Sequence, residues 1–284
     1  MRPLAANTGK RAAQDEGVRE GGGELVVLMD SDTVLATDAV RQAAVCFRDE
    51  RVGAVSGNVG VLNAAANLLT RLIHHRYRLR FQLERPAQGL FTSLLCCAGP
   101  FSVYRRSVLR DLWPRYLTQT FAGVRCTNGD DLHLTNLVLA AGRQVLFEPR
   151  AVASTSVPGS LRLYLRQQLR WNRSFYRELR WTFAGIRSRH PYLVLDVLAR
   201  GLLPLLQAAA LVLLASEGLL VGWELLVADL TLALAMLLVT AVFLLGQGVS
   251  VSFLLLYGPL HMVLLVPVRI VALLTLACPR WETR

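Results

Sequence analysis

The chain has 284 residues, 53% of them hydrophobic and 18% charged, with a formal net charge of +11. That is too apolar for an ordinary soluble enzyme, and the excess is uneven: residues 1–190 carry almost all the charge, whereas 191–279 form a nearly continuous apolar block. The break reads as one soluble and one membrane domain, and without an RNA-binding signature or aromatic–basic interleaving the positive charge does not call for nucleic acid as a partner.

In chain order, residues 1–23 are polar and end in Gly21-Gly22-Gly23, which predicts a loop or frayed helix closed by a hinge. Residues 24–29 are a short continuous apolar run, consistent with a buried parallel strand. Helical spacing follows over 37–48, a Val/Gly-rich strand over 52–60, and a long Arg-rich helix over 62–85. The pattern then gives a strand at 92–97, a short helix at 106–112, a helix at 130–141 and a strand at 143–147. This alternation argues α/β layering.

Residues 161–183 form a basic amphipathic helix with Trp171, Phe175, Tyr176 and Trp181. Its composition suits a helix lying in a membrane interface. The apolar block then offers three segments, 193–216, 225–245 and 249–277, the third broken by Gly258-Pro259, Pro267 and Arg269. Arg170, Arg173, Arg177, Arg180, Arg187 and Arg189 crowd before the block, while Glu217 and Glu224 flank its first turn. By the positive-inside rule the first 190 residues lie inside and that turn outside. Arg269, Arg280 and Arg284 return the C-terminus inside, so the number of crossings is even and the third segment is bent, re-entrant or interfacial. The five cysteines form no CxxC or Cys/His ligand pattern, as expected of a reducing cytoplasm.

Three clusters carry chemistry. Asp30 and Asp32 sit one residue apart at the end of the apolar strand, where two carboxylates can hold a hard divalent cation bridging a diphosphate. The alternative is a cap on the following helix. Asn128-Gly129-Asp130-Asp131 opens a helix, where acids gain from the helix dipole or serve as a general base. Gln167, Arg170 and Trp171 share one helical face, able to grip a diphosphate and stack on a sugar ring, or simply to anchor an interfacial helix.

Together these clusters resemble the processive family-2 glycosyltransferases: cellulose, chitin and hyaluronan synthases. The strings MDSDT, CCAGPFSVYR, NGDDLHLTN, QQLRWNRSFYREL and the final WETR are most similar to hyaluronan synthase. Chitin oligosaccharide synthases share much of this wording but usually have GED in place of GDD. The resemblance implies a multi-pass plasma-membrane enzyme with a cytoplasmic catalytic domain. That enzyme takes UDP-sugars (UDP-GlcNAc, with UDP-glucuronate for a hyaluronan-like polymer) and a growing polysaccharide acceptor, with Mg²⁺ or Mn²⁺. It implies that Asp30 and Asp32 bind the metal on the donor diphosphate, and that Asp131 is the general base with Asp130 beside it. It places Lys10 and Arg11 of a Gly-Lys-Arg segment at the nucleotide, and Cys97, Gly99 and Pro100 at the acceptor pocket. Gln167, Arg170 and Trp171 shape the diphosphate and acceptor site, and Trp281, Thr283 and Arg284 gate the nucleotide.

The expected architecture is a partial GT-A-type, Rossmann-like α/β domain over 1–158 and amphipathic interfacial helices over 159–190. A transmembrane region over 191–279 and a gating segment over 280–284 complete it. The domain is partial because the family's N-terminal spans and first half of the nucleotide fold have no counterpart here, which leaves sheet edges open. A fragment of a longer protein, dependence on another chain, and a non-catalytic remnant all follow from that reading. Leu132 stands where the family has arginine, and Glu282 where it has glycine.

Overall fold

The computed structural model describes residues 9–186, 189–220, 246 and 251–277. A five-stranded mixed sheet has the order β1-β4-β3-β7-β2, formed by β1 (Leu25–Met29), β2 (Thr33–Leu35), β3 (Val52–Val61), β4 (Phe101–Arg105) and β7 (Gln144–Thr155). β3 and β7 pair parallel, whereas β4 runs antiparallel to both β1 and β3. β1 therefore points the same way as β3 and β7, but it is an edge strand with an antiparallel neighbour rather than the buried parallel strand expected at 24–29. β5 (Thr120–Phe121) and β6 (Val124–Arg125) make a separate hairpin.

Strand alternation sends side chains to two cores. Tyr104 joins the layer under α5 (Arg106–Leu117) and α6 (Asp130–Ala140), packing with Leu109, Leu112, Leu134 and Val138. Phe101 and Val103 face the other way, onto Ala39, Ala43 and Phe47 of α2 (Ala39–Val45) and the 3₁₀ turn after it.

The helix expected at 62–85 begins later, as α3 (Leu68–Leu79), because Asn67 and Thr70 form a reciprocal cap: each backbone N–H donates to the other's side chain at 3.0 Å. It continues through a π turn at Arg80–Glu84 into α4 (Arg85–Gly89). The strand expected at 92–97 is absent apart from one bridge, Ser93 to Val145. Side chains take its backbone donors instead: Leu95 N–H reaches Gln88 at 3.4 Å and Cys97 N–H reaches Thr135 at 2.9 Å. The strand comes four residues after this loop, as β4.

The first helix, α1 (Lys10–Glu20), ends at Gly21. α7 (Leu161–Ile186) matches its expected span, but Ser174, Arg177, Glu178 and Thr182 are buried. α8 (Pro191–Leu220) runs on through Pro204. α9 (Val251–Leu260) passes through a π turn at His261–Leu265 into α10 (Val266–Leu274). The expected break in this third segment is therefore a π turn between Pro259 and Pro267; neither proline has an N–H to donate, which costs a helical bond at Pro259 but none at Pro267, in the first turn of the next helix. Pro191–Ala210 and Leu255–Leu274 are long and apolar enough to cross a membrane, with mean hydropathies of 1.6 and 1.7. The segment 225–245, Glu224 and the terminal Trp281, Thr283 and Arg284 lie outside the described residues.

Candidate active site

A cavity of about 1510 Å³ opens where the ends of β1 and β7, the loop before β4, and the helices α1, α6 and α7 meet. Asp30, at the end of β1, accepts a hydrogen bond from Lys10 Nζ at 2.7 Å. The same ammonium lies 2.9 Å from Asp130 at the start of α6. Gly99 sits between them. A Cβ there would stand 3.3 Å from Asp30 Oδ2, 3.4 Å from Lys10 Nζ and 3.6 Å from Asp131 Oδ2. Three charged groups from distant parts of the chain thus converge on one residue without a side chain, and any larger residue would fill the space they face.

Local chemistry explains the placement. Thr33 N–H closes the Asp30 turn onto the Asp30 carbonyl at 3.1 Å, and Asp32 Oδ1 accepts from Thr155 Oγ1 of β7 at 3.2 Å. Gly129 precedes α6 with φ +79°, a left-handed conformation that favours glycine. A Cβ at Gly129 would also meet Ser174 of α7 at 2.6 Å. The two acids that follow occupy the first helical turn, where the helix dipole favours negative charge. The loop carrying Gly99 hangs from three points: Arg85 donates to the Cys96 carbonyl, Cys97 N–H to Thr135, and Ala98 N–H to Ser56 Oγ at 3.0 Å.

Lys10, Asp30, Asp32, Gly99, Pro100, Asp130, Asp131, Gln167, Arg170 and Trp171 all line the cavity. Two candidates do not. Arg11 turns away, to the Tyr116 carbonyl at 2.7 Å and to Gln119, because its guanidinium satisfies groups beneath α5. Cys97 is fully buried in the core, and its neighbour Cys96 lines the cavity instead. Adjacent residues of an extended loop face opposite ways, and the sequence pair Cys96-Cys97 does not say which faces in.

Residues 3–174 match the family described as Glycosyltransferase like family 2. The chain belongs to glycosyltransferase family 2. It is 44% identical over 203 residues to an N-acetylglucosaminyltransferase of Mesorhizobium japonicum, covering 72% of this chain and 48% of that one. It is 40% identical over 287 residues to an N-acetylglucosaminyltransferase of Bradyrhizobium diazoefficiens, covering 99% of this chain and 58% of that one. The chain spans about half the length of these curated relatives. A mannosyltransferase from Pyrobaculum calidifontis, solved with GDP-mannose and Mn²⁺, superposes with a TM-score of 0.60 at 19% identity, over 95% of this chain and 68% of that one. That likeness shows a GT-A-like fold. Both curated relatives are named N-acetylglucosaminyltransferase, and neither is named a hyaluronan synthase, the family that the motif strings most resemble.

Electrostatics separate the two adjacent acids Asp130 and Asp131. Burial raises the Asp131 carboxyl above its ordinary value, and the charge of Asp130 adds to the rise. Burial pushes Asp130 the same way, but Lys10 outweighs it and holds Asp130 low. Two neighbouring carboxyls with opposed shifts are suited to different tasks, one to carry charge and one to exchange a proton. Burial lowers the Arg170 guanidinium from its usual value against the attraction of Asp131, Asp130 and Asp30.

The cavity also extends to Tyr77, Arg80, Glu84, Arg85 and Arg200, which no motif marks. There Glu84 pairs with Arg76 at 2.5 Å and with Arg200 of α8 at 3.0 Å. Arg200 also binds Asp196 at 2.9 Å, and Asp196 accepts from Gln88 at 2.7 Å. Asp196 and Arg200, in the first half of the apolar helix α8, are therefore paired with each other and with Glu84 and Gln88. The available signal was Glu84 within the run of arginines at 71–85, but its second partner, Arg200, lies 116 residues away.

Proposed function

We propose that the chain acts in membrane-bound, inverting transfer of GlcNAc from UDP-GlcNAc to the end of a growing β-linked oligosaccharide, as in a chitin oligosaccharide synthase. The observation that carries this reading is the convergence of Asp30, Lys10 and Asp131 on Gly99. A donor diphosphate bound near Asp30 and an acceptor hydroxyl at Asp131 would meet in that gap. The names of the relatives supply the sugar.

In this reading Asp131 takes the proton of the attacking hydroxyl, a role helped by its raised pKa. Asp130, ion-paired with Lys10, stays charged and fixes the turn. Arg170 offers a forked donor to the diphosphate and Trp171 a ring face to the sugar. Gln167 and Pro100 complete the walls. Mg²⁺ or Mn²⁺ suits the hard carboxylate oxygens of Asp30 and Asp32 at the cavity wall. Among the described residues no three Asp, Glu, His or Cys side chains are arranged around an ion, so donor phosphate oxygens would complete the set. When bound, such an ion neutralises charge on the leaving diphosphate.

The same proposal assigns 1–158 to the catalytic domain on the cytoplasmic face, 159–190 to the membrane interface and 191–279 to spans flanking the growing chain. The segment 280–284, with Trp281, Thr283 and Arg284, would gate the nucleotide. A second reading, a hyaluronan-like polymer, is favoured by the wording of the motif strings, Gly129-Asp130-Asp131 in place of GED among them.

Membranes containing the protein, supplied with UDP-GlcNAc alone or with UDP-glucuronate added, separate the readings. GlcNAc oligomers and UDP release from the single donor are expected. Polymer only with both donors would move the assignment to the hyaluronan type, and no UDP release with either would remove transferase function.

A further inference from the structure

Glu178 lies on α7 two turns beyond Arg170, on the same helical face, and is 2% exposed. It is buried among side-chain donors from two other elements. Its Oε2 faces His133 Nδ1 and accepts from Asn136 Nδ2, each at 3.0 Å, both from α6. Its Oε1 accepts from Gln119 Nε2, in the loop after α5. The two amides are locked at their far ends, since Asn136 Oδ1 accepts from Thr182 at 3.2 Å and Gln119 Oε1 accepts from Arg11. Neither can flip without losing that bond, so both N–H₂ groups must point at Glu178. An ionised carboxylate accepts only, and it suits this convergence of donors.

One turn nearer the site, Ser174 donates to Asn128 Oδ1 at 3.2 Å, Arg177 donates to the same oxygen, and Ser174 lies against Gly129. The turn 128–131 is thus clamped between Ser174 and Arg177 on one side and the helix anchored by Glu178 on the other. We propose that Glu178 is a positioning residue: by fixing the rotation of α6 on α7 it aims Asp131 into the space shared with Arg170 and Trp171. Its effect on turnover rests on the transferase reading above, but its effect on the turn does not.

Glu178→Gln tests this, because the new amide must set an N–H against an N–H and orphan one buried donor. Amide hydrogen exchange of the full chain in detergent reads the turn directly. Glu178→Gln is expected to speed exchange across 128–133 by about tenfold or more. Asn136→Asp combined with Glu178→Gln returns the carboxylate to the other side of the same contact, and is expected to restore exchange to within about threefold of the parent. Turnover on UDP-GlcNAc should fall and recover in step, with donor affinity unchanged throughout. If Glu178→Gln does not fold, Asn136→Ala removes one of the donors and should speed exchange in the same segment by a smaller factor. Unchanged exchange at 128–133 in the folded variant would overturn the proposal. So would a double variant worse than the single one, with melting temperature falling in parallel. Absent transferase activity in the parent would remove the proposed function while leaving the exchange result decisive for the turn.

Discussion

Behind Asp131 the protein is dense and polar: Gly129 is pressed on Ser174, Asn128 is held by two donors, and Glu178 gathers α6 onto α7. Across the cavity Asp30 ends an edge strand, Met29 before it is 44% exposed, and Lys10 is the side chain that bridges Asp30 to Asp130. In the proposed reading the acceptor side is therefore fixed by a buried network, and the donor side by one ion-paired lysine and a strand with one neighbour. A base must be placed within hydrogen-bond reach of one proton, whereas a nucleotide diphosphate can be gripped in several ways. Changes behind Asp131 should act on turnover or stability, and changes around Asp30 on donor affinity.

The largest expected effect is at Asp131 itself. Asp131→Asn removes the proposed proton acceptor and should lower turnover about 10²- to 10⁴-fold in a UDP-release assay. Next comes Gly129→Ala, which meets both a left-handed backbone and the Ser174 contact at 2.6 Å. A loss on the order of 3 kcal/mol is expected from the two terms together, read by chemical denaturation.

Smaller still is Glu84→Gln on the far wall. Burial raises the Glu84 carboxyl, but Arg76, Arg200 and Arg80 outweigh it and hold it below its ordinary value of 4.5. A folded-state value below the unfolded one stabilises the protein above about pH 4.5, and that contribution is lost as pH falls further. The variant should therefore melt below the parent at pH 7, and the gap should narrow on acidification below pH 4.5. The least effect is expected at Tyr164→Phe, whose hydroxyl meets that of Tyr257 at 3.4 Å; less than about 1 kcal/mol should be lost by the same denaturation assay.

The comparison also explains what could be read from the residues alone. The DSD and GDD acids were legible because each sits where a periodic run starts or stops, and the Gln167/Arg170/Trp171 face because helical spacing is local. β4 was missed in favour of 92–97, since a loop whose N–H groups bond side chains from Gln88 and Thr135 has the same apolar composition as a strand. Cys96 and Cys97 could not be told apart without the loop's direction. Glu178 was invisible because the donors that define it come from residues 42, 45 and 59 positions away. Nothing periodic marks such a contact. The edge position of β1 is likewise a property of the sheet order, not of its five apolar residues.

The division between the two walls is tested most directly by measuring UDP-GlcNAc affinity and turnover on Asp131→Asn and Asp30→Asn side by side. The expected result is that Asp131→Asn keeps donor affinity within about threefold while turnover falls at least about a hundredfold, and that Asp30→Asn weakens donor binding. Full turnover in Asp131→Asn, or equal loss of donor affinity in both variants, would contradict it.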